Sequence, residues 1–286
     1  MNRNQRPWRS VLYIPGARER ALDKARGLAV DAIIFDLEDA VAVAEKAAAR
    51  RLLAKTLAEG GFGQRARLVR INGLDSPWGQ DDLAAFDGVP IDAVLIPKVG
   101  SAADIDAVAE RTADVALWAM IETPQGVLNA AEIAAHPRVA GFVMGTNDLA
   151  KELKCAARAD RMPMLGALQH ALLAARAAGI VAVDGVYNAF RDEDGLRAEC
   201  DQGRAMGFDG KTLIHPAQIA MANAAFAPTE DEVDLARRQI EAYEAVEATG
   251  QGVAVVDGRI VENLHVATAR ETLARAELIA ELEGSQ

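Results

Sequence analysis

An alternation constrains this chain more than any other feature. Short apolar runs bounded by Gly, Pro or Asp take turns with longer stretches of helical period, rich in Ala, Leu and charge. The runs are 10–14, 32–36, 68–71, 93–96, 117–121, 141–144, 181–186 and 211–214. An apolar run followed by a helix is the mark of a βαβ unit, because parallel neighbours need a crossover between them. Eight such units over roughly 215 residues match a (β/α)8 barrel, the TIM barrel, in number and spacing. The rival is a doubly wound open sheet. Against it, Pro15-Gly16-Ala17-Arg18 follows the first run where a G-x-G-x-x-G would stand.

The α/β barrel is therefore expected over 1–226 as the catalytic domain, with a helix-hairpin-helix extension over 227–286. In the extension, Thr229 and Glu232 have capping-box spacing ahead of a helix reaching about Ala248. Asp257-Gly258 joins two short strands within 252–261, and a last amphipathic helix covers 264–282.

With 51% hydrophobic residues among 286, the chain can bury a large core. The 42 acidic and 31 basic residues leave a net charge of -11, which disfavours nucleic acid or anionic membrane as partners. An anionic ligand must be met by local basic groups. Cys155 and Cys200, the two cysteines, cannot build a disulfide framework or a cysteine-rich zinc site. The N-terminus lacks the apolar core of a signal peptide, and no apolar run approaches the roughly 20 residues that span a bilayer. A cytoplasmic protein is expected.

In a barrel, polar residues at the C-terminal strand ends share one mouth. Glu122 and Asp148 close adjacent runs with no Cys or His near in sequence, an oxygen-only pair suited to Mg2+, with Mn2+ as the alternative occupant. Two carboxylates leave coordination positions for water or substrate. The competing reading makes each a helix cap. Asp36, Glu38 and Asp39 crowd three charges into four residues, either as acceptors that fix metal waters and orient Arg70 or as an exposed acidic loop. Arg70 ends an apolar run, where its fork suits a carboxylate or developing oxyanion, or an ion pair with Asp36 or Glu38. Lys98 has the position of a Schiff-base lysine, but its acidic surroundings favour electrostatic support or an ion pair. His215 is either an acid-base group or, more commonly for such a residue, a satisfied structural histidine.

In order along the chain, Arg9-Ser10-Val11-Leu12-Tyr13-Ile14-Pro15-Gly16, Phe35-Asp36-Leu37-Glu38-Asp39-Ala40-Val41, Val69-Arg70-Ile71-Asn72, Ile96-Pro97-Lys98, Ile121-Glu122-Thr123-Pro124 and Gly145-Thr146-Asn147-Asp148-Leu149 resemble the citrate lyase β-subunit-like branch of the aldolase/citrate lyase family. That branch includes malyl-CoA and citramalyl-CoA lyases, and the likeness spans nearly the whole chain. The resemblance implies a magnesium-bearing barrel that cleaves or forms the carbon-carbon bond between a thioester α-carbon and a 2-keto acid. It makes Glu122 and Asp148 the metal carboxylates and Arg70 the substrate arginine. Pro124 and Gly145, Thr146 and Asn147 fall in the keto-acid site, while Tyr13, Arg20 and Lys24 match positions that hold coenzyme A. Arg20 and Lys24, at i and i+4, could also meet phosphates on charge alone.

The family's lid aspartate, which serves a neighbouring subunit, aligns with Glu262, a departure by one methylene that puts substrate and outcome in question. Asp257 is the fallback. The first expectation is a lyase of a 3-hydroxyacyl-CoA such as malyl-CoA or citramalyl-CoA. Next comes a malyl-CoA thioesterase, or a citryl-thioester lyase subunit needing an acyl-carrier protein. From another class comes a non-catalytic CoA-thioester-binding subunit. A homotrimer or a hexamer built as a dimer of trimers is implied, with CoA thioesters and small keto acids as ligands.

Overall fold

Each apolar run becomes a strand because its β-branched and aromatic residues can be covered on both faces, by the barrel interior and by the helical shell. The computed structural model describes residues 6–248, 250 and 252–284. Its strands are β1 (Ser10–Pro15), β2 (Ala32–Asp36), β3 (Ala66–Arg70), β4 (Ala93–Ile96), β5 (Ala116–Ile121), β6 (Val139–Met144), β7 (Val181–Asp184) and β8 (Gly210–Leu213). They pair in sequence order and close through β1 and β8, where Ser10 faces Lys211. Every pairing in the barrel is parallel, and helices separate the strands.

Alternation sorts the side chains. Val11, Ala32, Ile34, Leu68, Leu95 and Val183 belong to the interior cluster, while their neighbours Leu12, Ile33, Phe35 and Val69 pack in the larger cluster with the helices. Trp8 and Trp118 fill part of the interior with ring centroids 4.6 Å apart. Trp118 fits because Gly141 faces it on β6: a Cβ there would come within 2.7 Å of the indole.

The chain divides into two compact units, one of Trp8–Phe226 and one containing the chain from Ala227 onward. In the second, a helix over Glu230–Glu247 starts with the capping box of Thr229 and Glu232. Next come β9 (Ala254–Val256) and β10 (Arg259–Val261), antiparallel, and a helix over Asn263–Gly284. Asp257 and Gly258 both take left-handed φ, 50° and 74°, as a two-residue type I′ hairpin requires. Tyr243, Ala254, Val256, Val261 and Val266 form the core of this unit. Among the described residues, no helix is long and apolar enough to cross a membrane.

Candidate active site

Three of the charged strand ends continue the interior register. Residues 32 and 34 of β2, 66 and 68 of β3, and 116, 118 and 120 of β5 all face inward, so Asp36, Arg70 and Glu122 occupy the next inward positions of their strands.

Asp36 organises the first part of the site. Its carboxylate accepts the backbone N–H of Glu38 at 2.8 Å and of Ala40 at 3.0 Å, which folds the acidic segment back over the mouth. The same carboxylate takes Nε and Nη2 of Arg70 at 2.8 and 2.6 Å, a bidentate fork. Arg70 Nη1 lies 2.8 Å from Glu38 Oε2, an ion pair without hydrogen-bond alignment. Its guanidinium sits 5.2 Å from the centre of the Tyr13 ring. Burial opposes the charge on Arg70, but Asp36 outweighs it and raises the pKa. The predicted ion pair of Arg70 with Asp36 and Glu38 is therefore present. Asp36 and Glu38 are buried, so an exposed acidic loop is ruled out for them; Asp39 alone of the three is exposed.

Burial also raises the Glu38 carboxyl pKa, with Arg70 and Lys98 opposing. Lys98 binds it: Nζ donates to Glu38 Oε1 at 2.6 Å. This is the ion pair expected of Lys98, which also donates its backbone N–H to Glu122 Oε1 at 2.7 Å.

Glu122 is fully buried, and its second oxygen, Oε2, has no hydrogen-bond partner. Burial pushes its pKa up to about 7 despite the Lys98 amide. It does not cap the next helix, as one reading had it. Thr123 does, its Oγ1 accepting from the Gly126 amide at 3.0 Å. The helix Thr146–Leu153 likewise begins at Gly145, with Asp148 in its first turn rather than at the cap. Gly145 presses on Glu122: a Cβ there would fall 2.5 Å from Oε2. The structure therefore brings the ends of β5 and β6 together around the orphaned oxygen.

The chemistry of these donors fits a hard divalent cation. An orphaned carboxylate oxygen in a buried setting is costly unless a proton or cation meets it. Among the described residues, no cluster of three or more His, Cys, Asp or Glu side chains could hold a metal. A pair of carboxylates completed by water or substrate oxygens suits magnesium better than zinc.

The remaining predicted residues are distributed more widely. Tyr13 faces inward, its hydroxyl 3.9 Å from Met120 Sδ; burial raises its pKa. Pro124 opens the helix Pro124–Leu128. Thr146 is buried against Gly185, where a Cβ would come within 2.4 Å of its Oγ1. Asn147 is exposed and accepts from Asn188 at 2.7 Å. Arg20 and Lys24 stand exposed on the helix Glu19–Ala25.

Glu262 lies in the C-terminal unit at the start of the last helix, its carbonyl accepting from His265 and Val266 and its side chain exposed. Asp257, the fallback, pairs with Arg238 at 2.8 Å. His215 is exposed and makes contacts of a structural kind: it stacks on Phe190 at 4.5 Å and accepts the Ala217 amide at 3.1 Å.

Two networks escaped the sequence reading. Buried Lys46 donates to the carbonyls of Leu37 and Glu38 and to Asn72 Oδ1 at 2.7–2.8 Å, and Asn72 in turn donates to Asp82. This pins the acidic segment from below; Asn72, a polar residue one step beyond a strand end, was its only visible signal. Asp184, Lys211, Arg161 and Glu199 form a buried charge cluster between β7–β8 and the helix Glu193–Met206, on the outward face of those strands. A cavity of about 600 Å³ opens beside Glu38 and Lys98, walled by Val41, Leu74, Trp78 and Ile96.

Residues 9–216 match the family described as HpcH/HpaI aldolase/citrate lyase. The chain belongs to that family. A second match, to a C-C bond lyase of the TIM-barrel fold, covers 162–280, and the chain is an enzyme of this group. Among its family relatives is a (3S)-malyl-CoA thioesterase of Cereibacter sphaeroides, 66% identical over 98% of each chain. The citrate lyase subunit beta of Escherichia coli is 38% identical over 96% of this chain and 95% of that one. A crystal structure of the Mycobacterium tuberculosis protein CitE in complex with magnesium, acetoacetate and coenzyme A superposes with a TM-score of 0.80 at 32% identity, covering 96% and 99% of the two chains.

Proposed function

We propose that this family member is a magnesium-dependent enzyme that hydrolyses (3S)-malyl-CoA to malate and coenzyme A. The choice of reaction is carried by the 66% identity to the (3S)-malyl-CoA thioesterase across 98% of both chains. That identity moves hydrolysis ahead of the carbon-carbon lyase reading favoured by the motifs. Carbon-carbon cleavage is kept as a second reading because both matching families carry aldolase or lyase descriptions.

Glu122 Oε2 and Asp148 would hold the cation, as magnesium in the CitE complex suggests. Magnesium there supplies Lewis acidity toward a substrate oxygen. Arg70, held by Asp36 and Glu38, is oriented to stabilise the negative charge that develops on the thioester oxygen. Glu38, placed at the mouth by Lys98 and Arg70, takes a proton from the water as the water oxygen bonds to the thioester carbon; the carbon-sulfur bond then breaks and Glu38 returns that proton to the coenzyme A thiolate. Gly145, Thr146 and Asn147 with Pro124 bind the substrate carboxylate, and Tyr13, Arg20 and Lys24 bind coenzyme A. In the lyase reading, a base removes the proton of the substrate hydroxyl, the carbon-carbon bond breaks to give the 2-keto acid and the thioester enolate, and Glu262 from a neighbouring subunit protonates the enolate. The segment from 227 then acts as lid and assembly unit in a cytoplasmic homotrimer or hexamer.

The test is a panel of malyl-, methylmalyl- and citramalyl-CoA, with and without EDTA, scoring free thiol and keto acid separately. Metal-dependent thiol without keto acid supports hydrolysis. Keto acid without free thiol makes the enzyme a lyase, and turnover of none of the three sinks this substrate class.

A further inference from the structure

We propose that Lys98 is a positioning residue that determines which oxygen of Glu122 is offered to the cation, and that it does so through its main chain. This rests on the reading of Glu122 as a metal carboxylate. The starting observation is a backbone angle: Lys98 has φ of 52°, in the left-handed region. Among the described residues, three other non-glycine residues share it. Lys154 closes a helix, Arg161 begins a short helical turn and Asp257 turns a hairpin, all familiar places for that conformation. Lys98 lies two residues past the end of β4, in a turn at the barrel mouth where it follows Pro97, a place that normally takes Gly or Asn rather than lysine. A residue with a Cβ adopts this region only when its surroundings impose it, and such residues gather at functional sites.

The turn has a specific result. It aims the Lys98 N–H at Glu122 Oε1, 2.7 Å away, and so satisfies one oxygen of a fully buried carboxylate. The other oxygen is left without a partner, against Gly145. Had the amide pointed elsewhere, both oxygens would be open and the carboxylate free to rotate. The conformation is pinned at three places. Pro97 restricts the chain before it, Val99 is fully buried after it, and Nζ is tied to Glu38 Oε1 at 2.6 Å. Through Glu38 the same residue is linked to Arg70. Lys98 thereby sets the metal carboxylate and the arginine clamp in one fixed relation.

Glycine adopts the left-handed region freely, whereas a β-branched residue resists it. Lys98→Gly and Lys98→Val therefore separate main-chain from side-chain action. The full-length protein is titrated with Mn2+ alone, free metal being counted by electron paramagnetic resonance, and melted in EDTA. Expected is a Kd within about threefold of the parent for Lys98→Gly and at least about tenfold weaker for Lys98→Val, the loss usual when a ligand's supporting hydrogen bond is removed. Equal affinity in Lys98→Val and the parent overturns the proposal. So does a tenfold or greater loss in Lys98→Gly, a result that remains decisive if Lys98→Val does not fold. Equal melting shifts in EDTA with unchanged Kd would mark a merely structural residue and also overturn it. A parent protein that binds no Mn2+ fails earlier, at the reading of Glu122 itself, and is recognised by that.

Discussion

An alanine at Gly145 asks whether Glu122 is held in one place. The new Cβ would lie 2.4 Å from Glu122 Cβ, 2.5 Å from its Oε2 and 3.0 Å from Met120 Cε. Carbon atoms prefer about 3.5–4.0 Å, so roughly 1 Å must be found between two buried strand ends. Neither neighbour is free to yield. Glu122 is tied to the Lys98 amide, and Met120 Sδ lies against Arg70 and Tyr13. Overpacking of this kind costs about 1–3 kcal/mol, or about 2–7 °C of melting temperature in a barrel of this size. The carboxylate is displaced in the process. Metal sites tolerate only about 0.2 Å in ligand distance, so Mn2+ affinity should fall at least about tenfold. Gly166→Ala is the control: a Cβ there meets nothing within 4 Å inside the helix Leu165–Ala178, and should stabilise by about 0.5–1 kcal/mol. A Gly145→Ala protein that melts within about 1 °C of the parent and binds Mn2+ equally well would refute the packing argument.

Three further outcomes are expected. Arg70→Lys keeps the charge but cannot span both Asp36 oxygens, so turnover should drop about a hundredfold or more with circular dichroism unchanged; near-parental turnover would show the fork idle. Lys46→Met strands the carbonyls of Leu37 and Glu38 and the Asn72 side chain, for a loss of about 2–4 kcal/mol in urea unfolding; a shift under about 0.5 kcal/mol would deny Lys46 that role. Burial pushes the Cys200 thiol up to about 11, so at pH 8 about one molecule in a thousand carries its thiolate. A disulfide reagent should therefore titrate Cys155 alone in the native protein, with Cys200 appearing as pH rises toward 11 or on denaturation, and two fast thiols at pH 8 would contradict the buried setting.

Much of the fold was legible because each strand is an apolar run with a punctuated end. Ala32–Asp36 and Ala93–Ile96 fall where the hydrophobic pattern alone puts them, and Asp257-Gly258 forms the turn its φ angles demand. Charged strand ends were legible as a group for the same reason, since a carboxylate or guanidinium in a barrel's interior register needs a chemical explanation. Their partners were not. That Thr123 rather than Glu122 caps the helix depends on a local competition between two adjacent acceptors, which spacing cannot resolve. Lys46 is one of six polar residues in an Ala-rich helix, and its burial follows from which helical face turns to the core. The left-handed Lys98 had only Pro97 as a signal, because that turn position normally takes Gly or Asn, and the partner its amide finds in Glu122 is tertiary.

The interior column of alternate residues has an engineering consequence. Ile34 leads to Asp36, Leu68 to Arg70 and Met120 to Glu122, so the reactive groups are the last course of the same masonry that fills the barrel. Repacking that column to raise heat tolerance would register as altered turnover. The opposite parity, Ile33, Phe35 and Val69 against the helical shell, offers room for stabilising changes that leave the chemistry alone.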